Sequence, residues 1–172
     1  NTKVGSIKAY MEVDFASNTS SFWRLRHAYA EWNFFKIGYT WTTFMDNASL
    51  PTTVEFEGPN SALEKRHGLV RYERKFGLKN IAGISFEVPQ ADYYNPADTL
   101  LNDKNKESNF DIAGRYKYLH RLGHIQVAGI LRRIDYLHQN QIDGLYGWGI
   151  LLSTVININA KSVAIITAEQ IN

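Results

Sequence analysis

Few side chains in this sequence are spaced as a catalytic or metal site requires. His120 and His124 lie four positions apart, but Gly123 interrupts any helix that would bring both imidazoles to one metal ion. Glu55 and Glu57 could form a carboxylate pair of the kind that hydrolyses glycosides, yet the sequence offers no supporting acid elsewhere. It also lacks a phosphate-binding glycine loop and a Gly-x-Ser-x-Gly elbow. We therefore expect no enzyme, no metal site and no cofactor.

Composition narrows the class of protein further. The chain has 172 residues, a formal charge of +2 and 13% aromatic residues, and it contains no cysteine. The sequence contains no run of about 18 apolar residues that could span a bilayer as a helix. Its near-neutral charge argues against a nucleic-acid partner. Many aromatic residues without long apolar runs are typical of soluble all-β domains and of membrane barrels.

Apolar and polar residues alternate along most of the chain, which is the period of a β-strand. In the segment 7–15, Ile7, Met11 and Phe15 share one side, and Lys8 and Glu12 share the other. Alternation in 22–32 places Trp23, Leu25, His27 and Tyr29 opposite Arg24, Arg26, Ala28 and Ala30. The pattern predicts nine strands, at residues 7–15, 22–32, 35–44, 69–76, 81–88, 110–118, 124–136, 144–157 and 162–170.

The predicted connections alternate between short and long. Tight turns are expected near Asn33, at 77–80 and at 119–123, whereas 45–66, 89–109 and 137–143 are longer and polar. Short turns at one end and long loops at the other are typical of bacterial outer-membrane barrels. The predicted strand lengths, about 9 to 13 residues, also fit a tilted crossing of a bilayer better than a soluble sheet.

Aromatic residues near the predicted strand ends have two interpretations. They could form the interfacial girdles of a membrane barrel, or they could pack in a core or against neighbouring strands. The residues concerned are Trp23, Trp32, Phe35, Tyr72, Tyr116, Tyr118, Tyr136 and Trp148.

The first half of the sequence resembles the DcaP-like porin family. The resemblance rests on the stretches 22–29 (FWRLRHAY), 37–46 (IGYTWTTFMD) and 50–59, with its Leu-Pro and Glu-Phe-Glu-Gly-Pro, in that order and spacing. The strand at 7–15 and the later stretches 123–129 and 147–149 also resemble the family, so the likeness covers most of the chain.

This resemblance implies a trimeric outer-membrane barrel of about sixteen strands with a loop folded into its lumen. Single-chain bacterial barrels generally have an even number of strands, so residues 1–172 are expected to be part of one barrel domain in a longer protein. The end of the sequence, 165–172, lacks the expected further strands and terminal aromatic residue, which agrees with an internal fragment. A closed eight-stranded barrel remains the alternative, with an interior filled by side chains.

If the apolar face meets lipid, the opposite face must line the lumen, because hydrocarbon cannot satisfy exposed backbone groups. That face would carry Lys8, Glu12, Asp14, Arg24, Arg26, Lys36, Arg71, Glu73, Arg115, Lys117 and Arg132. A guanidinium stays charged and binds two carboxylate oxygens, which suits passage of carboxylates. The resemblance to the porin family implies dicarboxylates or similar small organic anions. Among these residues, Arg24 and Arg26 are our first candidates for contact with the passing anion. Alternatively, the arginines pair with Glu12, Asp14 and Glu73 across strands and only solvate a wall.

The segment 45–66 is the candidate constriction loop, since it is long for a plain connection and carries Asp46, Glu55 and Glu57. Acidic groups on this loop would face basic groups on the wall. The other interpretation is a solvated external loop.

The expected partners are small anionic solutes, membrane lipid or lipopolysaccharide, and two further copies in a homotrimer of the cell outer membrane. Two other functions stay open: a soluble or surface β-domain that binds a partner through its aromatic face, and a small closed barrel acting as an anchor or enzyme.

Overall fold

The computed structural model describes residues 5–15, 23–50, 65–89, 110–138, 141–159 and 162–171. Their strands form one antiparallel sheet in which each strand pairs with the next along the chain. The strands are β1 (Ile7–Asp14), β2 (Arg24–Trp32), β3 (Phe35–Trp41), β4 (Arg66–Phe76), β5 (Asn80–Glu87), β6 (Asp111–His120), β7 (Gly123–His138), β8 (Gln141–Asn159) and β9 (Ser162–Ile171). The sheet is not closed: β1 and β9 are its two edges.

The predicted antiparallel all-β fold and its nine strands are therefore confirmed, with two corrections at strand ends. The third strand ends at Trp41 rather than at Phe44, and the chain then turns into a short 3-10 helix, Asn47–Ser49. The predicted long loop at 137–143 is wrong, because Leu137 pairs with Ile142 and His138 with Gln141. β7 and β8 form one long hairpin, because the polar residues His138 and Gln141 continue the backbone pairing of the two strands.

The sheet has an apolar face that is exposed and a polar face that is buried. On the apolar face, Val127 pairs with Leu152, and these side chains are 46% and 49% exposed. On the other face, Gln126 pairs with Ser153, and both are fully buried. This distribution is the reverse of a soluble sheet, which buries its apolar side chains away from water. It is the distribution of a wall that faces lipid on one side and a polar interior on the other. In the described residues, no helix is long and apolar enough to cross a membrane.

A β-bulge in β2 corrects the predicted faces of that strand. Glu12 pairs with His27, but the next position, Val13, pairs with Leu25, so Arg26 is an extra residue without a partner in the register. Such an insertion reverses the alternation along a strand. His27 and Tyr29 consequently lie on the polar face with Arg24, whereas the uninterrupted pattern had placed them on opposite faces. Ala28 and Ala30 lie on the apolar face, opposite Tyr39 and Ile37.

Tight turns join the strands at one end of the sheet. They lie at Asn33–Phe34, at 77–79 and at 121–122. Asn33 has φ 52° and Gly77 has φ 63°, a region that asparagine and glycine enter at little cost. Several aromatic rings meet at this end, and Phe35 lies 5.3 Å from Tyr72 between ring centroids. For this pair, the cross-strand packing interpretation is observed.

Candidate functional site

Residues 42–50, which we call the inner segment, fold across the polar face of the sheet. Phe44 and Met45 are buried, and Phe44 packs with Ala113, Ala128 and Leu151 from β6, β7 and β8. Ala113 and Ala128 are small, which leaves room for the phenyl ring. The inner segment thus covers the middle of the polar face with a minor apolar contact, and polar contacts hold its two ends.

Glu87 on β5 holds the first end of the inner segment. Its carboxylate accepts hydrogen bonds from the Thr43 backbone N–H at 2.7 Å and from the Ser85 hydroxyl at 2.7 Å, and also from the Thr42 hydroxyl. Arg71 on β4 donates from Nε to Thr43 Oγ1 at 2.6 Å. Glu87 is fully buried, so these donors replace the water that a carboxylate would otherwise bind.

Asp46 holds the second end through side chains of three strands. Its Oδ1 accepts a bond from Lys117 Nζ at 2.8 Å, and its Oδ2 lies 2.7 Å from His124 Nε2 and 2.7 Å from Ser153 Oγ. Burial alone would raise the pKa of Asp46, but the bonds from Lys117, His124 and Ser153 keep the pKa below its ordinary value. Asp46 is therefore a buried, ionised anchor.

A polar cavity of about 410 Å³ lies between the inner segment and the wall formed by β1 to β4 and β6. Its charged lining comprises four cations and two carboxylates: Lys36, Arg71, Arg115 and Lys117 with Glu12 and Asp46. Its aromatic lining is Tyr10, His27, Tyr29 and Trp41. The rings of Tyr10 and Tyr29 are 5.3 Å apart, and Lys36 Nζ lies 4.4 Å from the centre of the Tyr29 ring. The lining thus contains more cations than carboxylates.

Most of the arginines predicted to line the lumen are paired with carboxylates. Arg24 bonds Asp14 at 2.7 Å, and Arg26 lies 3.0 Å from Asp14 and 3.5 Å from Glu12. Arg132 bonds Asp111 at 2.6 Å.

Arg115 forms an ion pair with Glu73, and Lys36 lies 2.9 Å from Glu31. Pairing across strands, the alternative interpretation, is thus the arrangement observed for these cations. It leaves the wall charged but partly neutralised.

The structure brings only some of the predicted site residues to one place. Lys8 is exposed on β1 opposite Glu31, and Arg71 is buried beneath the inner segment. Arg24, Arg26 and Arg132 do not line the described cavity, whereas Arg71 and Arg115 do. Of the three acidic residues expected on the constriction loop, Asp46 lies on the inner segment, and Glu55 and Glu57 lie outside the described residues.

Several polar residues of the site were missed by the sequence reasoning. Glu87, Asp111, His124 and Ser153 are buried on the polar face, where they bind the inner segment or an arginine. The alternation could have identified Glu87 and Asp111, since each stands between two apolar residues of a predicted strand, but it marks His124 and Ser153 less clearly. Within the described residues, no group of three or more histidine and carboxylate side chains could hold a metal ion.

Comparison with known proteins relates the fold to a membrane channel. No family model matches the chain. The outer membrane channel DcaP of Acinetobacter baumannii superposes with a TM-score of 0.80 and 22% identity, over 96% of this chain and 47% of that channel. The sheet therefore has the fold of part of an outer-membrane β-barrel channel, and the chain spans about half of that protein's length.

One curated protein shows a sequence likeness of another kind. The helicase SWR1 of Yarrowia lipolytica is 29% identical over 132 residues, which are 74% of this chain but 7% of the helicase. A match to so small a part of a protein carries no activity to this chain.

Proposed function

We propose that this chain forms part of the wall of a passive outer-membrane channel for small hydrophilic solutes, preferentially anions such as dicarboxylates. The observation that carries the proposal is the reversed burial of the sheet, with apolar side chains outside and charged and polar ones inside. The similarity of the fold to part of an outer-membrane channel supports it. The complete barrel would have about sixteen strands and assemble as a homotrimer in contact with lipid and lipopolysaccharide.

The preference for anions is proposed from the cavity rather than from the whole sheet. Among the described residues, at least six cations of the sheet have a carboxylate within 4 Å, so a count of basic side chains overstates the positive field. The cavity lining still carries four cations against two carboxylates. A solute anion that enters would meet several weak cationic contacts, which allow both entry and release.

The inner segment is our candidate for the constriction. It lies on the polar face, where it narrows the space available to a solute, and its Asp46 is bonded to Lys117. A narrowing of this kind sorts solutes by size.

The test is ion selectivity of the full-length protein in a planar bilayer under a potassium chloride gradient. Replacement of Arg115 by glutamine leaves Glu73 uncompensated beside the cavity, and we expect the reversal potential to move towards that of a cation-selective pore. Arg121→Gln is the matched control, because it removes the same charge at an exposed turn outside the cavity. Equal reversal potentials for the two variants would remove the cavity from the selectivity mechanism. A bilayer that stays silent with folded protein would favour the soluble binding domain.

A further inference from the structure

The polar contacts of Asp46 have the form of a carboxylate-binding site. Lys117, His124 and Ser153 contribute an ammonium, an imidazole nitrogen and a hydroxyl, each within 2.8 Å of a carboxylate oxygen. Charge-assisted bonds of this length are the strongest that a carboxylate forms in a protein. We call these three side chains the carboxylate cradle.

The cradle and the group that fills it belong to different parts of the structure. The three donors stand on β6, β7 and β8, in a fixed register in which Lys117 pairs with Gln126 and Gln126 with Ser153. Asp46 instead lies on the inner segment, outside the ladder. The donors are consequently held in place without Asp46, as a preorganised site requires.

The cradle meets the cavity through one of its three donors. Lys117 and Asp46 line the cavity, beside Arg115, whereas His124 and Ser153 are buried and do not line it. A small anion held there would lie next to the same ammonium group that binds Asp46. The solute and the Asp46 side chain present the same chemical group to one set of donors.

We propose that the cradle binds a solute carboxylate in exchange for Asp46, so that entry of a small carboxylate releases this end of the inner segment. In the described structure Asp46 fills the cradle from within the chain. Exchange would couple occupancy of the cavity to the position of the inner segment. This inference rests on the proposed function, since it names the step by which the channel would admit a carboxylate.

Other charged groups near the inner segment would keep their contacts during the exchange. Glu87 holds the first end with Thr42 and Thr43, Arg71 donates to Thr43, and Arg115 is paired with Glu73. β9 contributes Glu169 at the register position opposite Leu151. Because Glu87 stays bound, the exchange would free only the end that carries Asp46.

The test uses a spin label on the inner segment. These 172 residues contain no cysteine. Ala48→Cys, exposed on the short helix after Asp46, gives one labelling site once any cysteine elsewhere in the full-length protein is replaced by serine. Electron paramagnetic resonance in detergent then reports the mobility of the segment without any measurement of conductance.

In the first arm, Asp46→Ala removes the tethered carboxylate, and the label should become mobile in chloride. Formate can then occupy the empty cradle, and NMR line broadening of formate should show binding with a dissociation constant of about 10 mM, in the weak range expected of a few polar contacts. The label should stay mobile, because formate is not joined to the inner segment. Adding Lys117→Met should abolish formate binding. Glu12→Ala removes another cavity carboxylate but leaves Asp46 in the cradle, so it is the matched control and should bind no formate. A failure of formate to bind to Asp46→Ala would overturn the cradle as a binding site.

In the second arm, the labelled protein retains Asp46 and is moved from chloride into succinate at equal ionic strength. The mobile fraction should rise, whereas Asp46→Ala, whose label is already mobile, should not respond. An unchanged spectrum in succinate, with formate binding in the first arm, would overturn the exchange and make Asp46 a fixed anchor. A silent bilayer with both arms positive would refute the channel but not the cradle.

Discussion

Leu152 provides a direct test of whether the apolar face meets lipid. It lies at the middle of the stretch Trp148–Ile156 of β8, which pairs with the part of β7 that is itself paired with β6. Its side chain is 49% exposed on the apolar face. In a membrane-spanning sheet this position is close to the bilayer midplane, and in a soluble sheet it is an ordinary surface site.

These two environments predict very different costs for Leu152→Arg. An arginine that faces lipid at the midplane of a barrel costs about 2–4 kcal/mol, which changes the folding equilibrium roughly 30- to 1000-fold. An arginine at a water-exposed surface position usually changes stability by less than about 0.5 kcal/mol. We expect the larger cost.

The measurement is urea unfolding of the full-length protein in phospholipid vesicles, followed by tryptophan fluorescence. Leu78→Arg is the matched control, because Leu78 is 96% exposed in the turn between β4 and β5, outside the spanning strands. If Leu152→Arg and Leu78→Arg agree within about 0.5 kcal/mol, the apolar face does not meet lipid and the reasoning from burial fails.

Three further predictions concern the polar face and the turns. Gly38→Ala should destabilise the protein by more than about 2 kcal/mol, because the backbone has φ 137° there and a Cβ would lie 2.2 Å from the Ala28 carbonyl oxygen. Gly77→Ala, in an open turn, should cost only about 1 kcal/mol. Urea unfolding midpoints of the two variants test this difference. The pKa of Asp46 is lower in the folded protein than in the unfolded chain, so its contribution to stability is present above about pH 4 and is lost as the pH falls further. The spin label at position 48 should therefore become mobile below about pH 4. Asp46→Asn should abolish this pH response in the same spectra. Arg24→Ala should lower anion preference less than Arg115→Gln does, since its partner Asp14 lies outside the cavity lining. A larger shift of the reversal potential in Arg24→Ala would move the selective site towards β1.

The alternation of residue types was sufficient to predict the sheet. Segments such as 7–15 and 81–88 have a period of two without interruption, and the turn at Asn33 has a residue type that tolerates a positive φ. The lining of the polar face by Arg71 and Arg115 followed from the same pattern. Each of these features depends on residues that are neighbours in the sequence.

The features that could not be predicted depend on contacts between distant residues. The bulge at Arg26 is set by pairing with β1, and nothing in 22–32 alone marks an extra residue. Thr42, Thr43 and Phe44 fall within the predicted strand 35–44, but in the structure they lie across the polar face. Hydrogen bonds to Glu87, which is 45 residues from Thr42 and 44 from Thr43, hold them there. His138 and Gln141 are polar residues typical of loops, and their pairing with each other extends the ladder beyond the predicted strand ends.

The attachment of Asp46 has a consequence for the order in which the chain folds. Each strand pairs with the next, so the sheet can grow by closing one short hairpin after another, with low contact order. Asp46, in contrast, meets Ser153 across a sequence separation of 107 residues. The inner segment can dock only after β8 has joined the sheet, which makes its docking a late event in folding. Variants at Asp46 should accordingly accelerate unfolding while leaving the rate of sheet formation unchanged.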